Sequence, residues 1–312
     1  MNRGFQMNYF VYILINNIVP ICIMIAIGVT MYRAFRIDIR TLSKLNFYVF
    51  SPALVFVKLY ESEMSLSILM QVLLFFAIFF SLLFAIIEVI IRIQKMQRGM
   101  RIAMRNSVIF YNSANYALPL NQTVFGGNAY TLAIQIVIMI MQTLIPNTYG
   151  IYTLNAHKAS WKATLKTILS LPVIYAIPIA LLLRYYHVPV PSSIHIPLNY
   201  IANAFMATAL LTLGVQLGAM KWEFHFSNVL LSNMLRLAIG PLLGFFVVWM
   251  LGIEGLTAKA LVLSCAVPTS LSSVLLAIEY ENEAEFSSQA VFTSTLFSMF
   301  TIPIVIYLLD FM

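Results

Sequence analysis

The stretch N-S-A-N-Y-A-L-P-L-N-Q, residues 112–122, sets four amide side chains and a proline inside one of the most apolar regions of the chain. Its surroundings make this a physical problem. Apolar runs of about 20 residues recur from one end of the sequence to the other, each long enough to cross a hydrocarbon core. Of the 312 residues, 61% are hydrophobic and 9% are charged, and mean hydropathy is +0.90. Soluble domains carry roughly 25% charged residues, so this chain cannot present a solvated surface all round. The composition is that of an all-α polytopic membrane protein. A membrane β-barrel shows weak alternation in segments of about 10 residues, which is not the pattern here.

Apolar runs set against charged or turn-rich breaks predict ten spans: 10–31, 42–60, 66–92, 103–126, 128–154, 161–185, 197–220, 228–251, 256–279 and 286–310. No break is long enough for a soluble domain. The net charge of +7 does not point to nucleic acid, because the Lys and Arg residues sit in short breaks rather than on one face. Counted by break together with the span ends beside it, 14 of the 18 basic residues fall on one side: Arg33, Arg36, Arg40 and Lys44; Arg92, Lys95, Arg98, Arg101 and Arg105; Lys158, Lys162 and Lys166; Lys221 and Arg236. The positive-inside rule makes that side cytoplasmic and places both termini outside, in a plasma or inner membrane. The first span reads as uncleaved, since Phe10 to Met31 is too long for a signal-peptide core and Arg33, Arg36 and Arg40 follow it.

A second polar interruption lies in L-S-C-A-V-P-T-S-L-S-S, residues 263–273. N-Y-A-L-P (115–119) matches S-C-A-V-P (264–268) at an offset of 149, and Val19-Pro20 matches Leu171-Pro172 at an offset of 152. The chain thus reads as two five-span repeats, residues 1–155 and 156–312. Five is odd, so the second copy is inverted in the bilayer. Inverted repeats with interrupted helices at corresponding positions point to a secondary transporter.

A proline in a helix removes an N–H and clashes with the carbonyl four residues back. Pro119 is expected to free the carbonyl of Asn115, and Pro268 that of Ser264. Unpaired backbone groups in hydrocarbon cost several kcal/mol each. Asn112, Asn115, Tyr116, Asn121 and Gln122 around one break can satisfy them, as can Ser264, Thr269, Ser270, Ser272 and Ser273 around the other. The same groups can hold a solute. Two half-helix N-termini with partial positive charge, meeting at mid-depth, suit a small anion without a buried Lys or Arg. Gln135 and Gln142, seven apart in the fifth span, share a helix face and either line this cavity or bond a neighbouring helix. The blander reading of the prolines is ordinary kinking, as at Pro20, Pro52, Pro146, Pro172, Pro178, Pro241 and Pro303. Clustered amides or hydroxyls beside a proline, at matching positions in both repeats, favour a binding site.

These motifs resemble the auxin efflux carrier family, the group that includes bacterial malate and malonate permeases and plant auxin exporters. The likeness lies in N-x-x-N-Y-x-L-P-L (112–120), A-x-P-T-S-x-x-S (266–273) and F-Y-V-F-S-P-A-L (47–54). Family members usually carry glycine where this chain has Ser113-Ala114. The resemblance implies ten helices with broken, crossing helices four and nine, an architecture shared with sodium/proton antiporters and bile-acid transporters. It implies a scaffold of helices one, two, six and seven that forms a homodimer contact, and a moving unit of helices three to five and eight to ten. Alternating access of elevator or rocking type would carry organic anions such as malate, malonate or auxin-like weak acids. Carried over by residue, Asn112, Asn115, Pro119, Pro268 and Thr269 become the expected contacts.

Other features are less directive. Gly214 and Gly218 have the small-xxx-small spacing of close helix packing, with Gln216 between them as a scaffold-side contact. Glu88 is expected to pair with Arg92 one turn on. Cys22 and Cys265 fall in apolar spans, and the four histidines lack metal-ligand spacing. No nucleophile–base pair stands in the spans, so the expectation is a transporter without cofactor or metal, with substrate and lipid as partners; a uniporter and a carrier coupled to a proton or sodium ion both stay open. The alternatives are a solute channel, or a sensor without transport.

Overall fold

In hydrocarbon every backbone donor and acceptor must be paired within the protein, which leaves apolar segments little choice but helix. The computed structural model describes residues 10–154, 165–166, 168–220 and 226–312. Arg3, His157, Lys158, Lys162, Lys221 and His225 lie outside the described residues.

Twelve helices organise the described chain. The first repeat read from the sequence contains α1 Phe10–Phe35, α2 Ile39–Glu61, α3 Leu66–Ile93, α4 Arg98–Ile109, α5 Ala117–Val124 and α6 Ala129–Leu154. The second contains α7 Val173–Tyr185, α8 Ser192–Ala219, α9 Asn228–Met250, α10 Gly255–Cys265, α11 Leu271–Glu279 and α12 Ala284–Leu309. Seven of them are long and apolar enough to cross a membrane: α1, α2, α3, α6, α8, α9 and α12. The short helices α4 and α5 flank one interruption, and α10 and α11 flank another. The outward faces carry Ile23, Ile27, Ile179, Leu182, Trp249, Phe300 and Ile304, as a lipid surface requires.

Three of the prolines inside long helices share one solution. A wide π-type turn at Leu14–Ile18 leads into Pro20, one at Asn46–Phe50 into Pro52, and one at Leu235–Ile239 into Pro241. Widening the turn passes over the residue that lacks an N–H and relieves the ring clash, so these helices bend without breaking.

The close-packing glycines find their partner in α1. A Cβ on Gly214 would stand 2.1 Å from the carbonyl of Ile25, and one on Gly28 would stand 2.3 Å from that of Leu211. Only hydrogen fits at either position, so α1 and α8 touch backbone to backbone. Nearby, Asn46 in the wide turn of α2 donates to Thr212 at 2.8 Å and accepts from Thr208 at 2.7 Å, fastening α2 to α8. At the far end of α2, Arg184 donates to the carbonyl of Leu59 at 3.3 Å, one of those a helix terminus leaves without a partner, and to Ser62 at 2.6 Å and Met64 at 2.8 Å in the segment that follows.

Glu88 does not pair with Arg92. Arg105 of α4 takes its carboxylate in a two-pronged contact, one prong from Nε and the other from Nη2 at 3.0 Å. The guanidinium of a packed neighbouring helix offers bidentate geometry that an i,i+4 partner does not.

Candidate functional site

The interruptions at 110–116 and 266–270 meet. Tyr111 and Thr269 form an antiparallel bridge, in which Asn112 N donates to Pro268 O at 2.8 Å and Ser270 N to Phe110 O at 2.7 Å. Backbone groups released by one break are thus satisfied in part by the other break, in addition to the side chains expected from the sequence. Pro119 also acts differently from expectation. The first break lies upstream of it, and Pro119 stands in the first turn of α5, where its missing N–H removes no intrahelical bond. The turn into α5 is made by Asn112: its carbonyl accepts from Ala117 N at 3.0 Å, and its Oδ1 accepts from Asn115 N at 3.1 Å.

Polar side chains of three surrounding helices fix this crossing. Thr269 is buried; its N–H donates to Ser294 Oγ at 3.1 Å and its hydroxyl to the carbonyl of Ser107 at 2.7 Å. Ser107 in turn bonds Ser232 at 2.7 Å. From α6, Gln135 donates to Ser113 O at 3.3 Å, and Gln142 Oε1 accepts from Tyr111 N at 3.3 Å. On the other side, Ser270 Oγ accepts from Ser272 N at 3.2 Å and caps α11, while Ser273 donates back to Ser270 O at 2.8 Å.

Beside the crossing lies a cavity of ≈ 410 Å³. Asn112, Ser113 and Asn115 line it from the first break, Ser270 and Ser272 from the second, and Gln142, Thr143 and Asn147 from α6. Gln216 of α8 and Arg40 and Ser43 of α2 complete the polar wall. A second cavity of ≈ 550 Å³ shares Ile39, Gln216, Leu271 and Leu275 with it and continues past Met220 and Glu285 toward the Arg- and Lys-rich end of the bundle. Charged side chains stand in both walls, Arg40 in the first cavity and Glu285 in the second, and Asp38 adjoins the shared Ile39. Asp38 accepts from the Thr41 hydroxyl at 2.6 Å and from Thr41 N at 2.9 Å, and these bonds hold its carboxyl below the usual range; Arg40 follows two residues on.

Of the residues singled out from sequence, Asn112, Asn115, Gln142, Ser270 and Ser272 face the cavity. The others lie behind it or away. Tyr116 is buried and accepts from Ser298 at 3.1 Å. Asn121 is buried against Thr131, which donates to it at 2.9 Å. Gln122 lies against Gly127, where a Cβ would come within 2.8 Å of its Nε2. Ser264 is buried in α10, and Pro119, Gln135, Pro268, Thr269 and Ser273 shape the two breaks as described above.

One residue overturns an expectation. Arg236, counted from sequence with the basic residues of the cytoplasmic side, lies well inside α9 and is fully buried. Its Nη1 donates to Val108 O at 3.1 Å, its Nη2 donates to Cys265 O, and its guanidinium stands 4.6 Å from the centre of the Tyr111 ring. A cavity with no buried Lys or Arg near it is therefore not what the chain builds. Val108 and Cys265 belong to the last turns of α4 and α10, the ends where carbonyls lack partners and partial negative charge collects. A buried guanidinium without partners would cost several kcal/mol; two helix ends and an aromatic face compensate this one. Gly240 makes the room, since a Cβ there would stand 2.6 Å from Nη2. The signal in the sequence was the run Arg236-Leu-Ala-Ile-Gly-Pro241, a charge followed by a residue without a side chain and a turn-widening proline.

Over residues 13–306 the chain matches the family described as membrane transport protein. The chain belongs to that family. Known members resemble it at modest identity. An uncharacterized transporter of Methanothermobacter thermautotrophicus is 23% identical over 268 residues, 86% of this chain and 88% of the relative. The uncharacterized transporter YfdV of Escherichia coli is 25% identical over 190 residues, 59% of this chain and 60% of the relative. An uncharacterized transporter of Methanocaldococcus jannaschii matches 37% of each chain at 24% identity. This member of the membrane transport protein family, the auxin efflux carrier family of the sequence reading, is thus a multi-pass membrane protein with several apolar helices. The family match covers both interruptions and the cavity between them.

Proposed function

We propose that the chain is a secondary-active or facilitative transporter of small organic anions, mono- or dicarboxylates in the first instance, working by alternating access around the crossing. The observation that carries this reading is the cavity itself, walled by amides and hydroxyls from both breaks and by Gln216 of α8. The amide and hydroxyl side chains among the lining residues can hydrogen-bond a carboxylate, and Ile39, Phe47, Leu171, Leu271 and Leu275 give the cavity an apolar side for the solute's carbon skeleton. The N-terminal ends of α5 and α11 add partial positive charge at the crossing, and Arg40 stands in the wall toward the mouth.

The packing supports two inverted five-helix repeats, residues 1–155 and 156–312. Counting α4 with α5 and α10 with α11, shifting each helix by five exchanges its neighbours: α1 against α8 becomes α7 against α2, and α3 against α6 becomes α9 against α12. In this reading α1, α2, α7 and α8 form the scaffold, with a homodimer contact, and the remaining helices move. The α2–α6 contact is not mirrored by a comparable α8–α12 contact, an asymmetry that supports a resting state closed on one side and open on the other. The open side is the basic one, cytoplasmic by the positive-inside rule, with both termini outside. Uptake into proteoliposomes tests the function. Saturable malonate or malate flux that falls in Asn115→Ala supports it; flux proportional to concentration at all levels indicates a channel, and binding without flux indicates a sensor.

A further inference from the structure

The half-helix C-termini of a broken-helix carrier present bare carbonyls, and in many such carriers an inorganic cation sits there. Here the last turns of α4 and α10 converge on one guanidinium. Arg236 bonds Val108 O and Cys265 O, one carbonyl from each helix, and stands over the ring of Tyr111, a residue that lines the solute cavity. Two helix ends of about half a negative charge each meet one positive charge.

We propose that Arg236 is a resident cation: it ties the two interrupted helices together, takes the place of a bound inorganic cation at their C-terminal ends, and positions Tyr111 and the crossing for the solute. The charge is covalently supplied and always present, since a guanidinium keeps its proton in proteins. The crossing is then held without sodium. A lysine is a poor substitute, because a single ammonium cannot reach both carbonyls and stack on a ring. Gly240 and the wide turn at Leu235–Ile239 belong to the same device, one clearing space for the guanidinium and the other turning it toward the breaks.

The tie rests on this geometry alone; its consequence for solute binding rests on the organic-anion reading above. The test uses the purified full chain in detergent and has two arms. In the cation arm, thermal unfolding is followed with no solute, in sodium chloride and in choline chloride at equal ionic strength. Wild type should unfold at the same temperature in both. Arg236→Ala should unfold about 5–10 °C lower, with low-millimolar guanidinium restoring much of the loss, choline none, and Arg236→Lys recovering only part. In the binding arm, malonate affinity should be sodium-independent in wild type and about tenfold weaker in Arg236→Ala, a difference of about one pKd unit, with guanidinium improving it.

A sodium-dependent rise in the wild-type midpoint would overturn the proposal, as would an Arg236→Ala protein that guanidinium does not stabilise. If Arg236→Ala cannot be purified, the wild-type comparison decides alone, and Gly240→Ala supplies a second variant whose added methyl pushes the guanidinium off its carbonyls. Failure of malonate to bind, with the cation arm as expected, would count against the organic-anion reading and leave the tie standing.

Discussion

The backbone N–H of Asn112 donates to the carbonyl of Pro268 at 2.8 Å, joining the two interrupted helices main chain to main chain. The consequence for mutagenesis is direct. Side chains at the breaks can be removed while the bridge that holds the breaks together persists, so binding and folding can be separated at this site.

Asn115 is the cleanest position for that separation. It is half-buried and lines the cavity, whereas the Asn112 side chain is engaged in the turn. Asn115→Ala should lower carboxylate flux about tenfold, equivalent to about 1.4 kcal/mol, while the midpoint of thermal unfolding moves little. Asn112→Ala should lower both, because a turn bond worth about 1 kcal/mol goes with it.

Gln216 offers the complementary test. Its Oε1 is buried and has no hydrogen-bond partner among the described residues, and the side chain lines both cavities. Leaving such an oxygen unpaired costs about 1–3 kcal/mol. Gln216→Leu should therefore hold or raise the unfolding midpoint while weakening solute binding. A parallel fall in both quantities would assign Gln216 to packing alone.

Gly214→Ala should be severely destabilising. The new methyl would meet the carbonyl of Ile25 at 2.1 Å, and backbone cannot rotate aside as a side chain can. Overpacking of this kind costs about 1–3 kcal/mol or more. Purified protein should show a lower unfolding midpoint, or fail to survive extraction, while Gly252→Ala, in open space at positive φ, should be milder.

The Glu88–Arg105 pair should contribute little on its own. Both side chains retain about a fifth of their exposure, at 20% and 19%, and pairs in reach of solvent are worth about 0–1 kcal/mol. A double-mutant cycle with Glu88→Gln and Arg105→Gln should give a coupling energy in that range, diminished by added salt.

Much of this architecture could be read before any coordinates, because membrane helices write their polar exceptions plainly. The amides around Asn112 and the hydroxyls around Thr269 marked both interruptions, and Gly214 with Gly218 marked a close contact. The partner of that contact, Gly28, gave no sign, since a lone glycine in an apolar run has no pattern. The pairing of Tyr111 with Thr269 was equally invisible: it is made by backbone, which every sequence has. Pro119 misled because a proline breaks a helix only in its interior, and the break came before it. Arg236 misled for a different reason. An arginine near the start of an apolar run reads as an interfacial residue whose charge escapes to water. The structure instead offers it two helix C-termini, a demand that exists only once two distant breaks have been brought together.

The central claim is that the crossing near Asn112 and Ser270 binds a small organic anion and moves it by alternating access. Solute counterflow in proteoliposomes tests this most directly: vesicles loaded with unlabelled malonate or malate take up trace labelled anion from outside. The account predicts saturable labelled uptake that exceeds equilibrium transiently and falls about tenfold in Asn115→Ala. Uptake that never overshoots across a carboxylate panel, or an overshoot unchanged in Asn115→Ala, would contradict it.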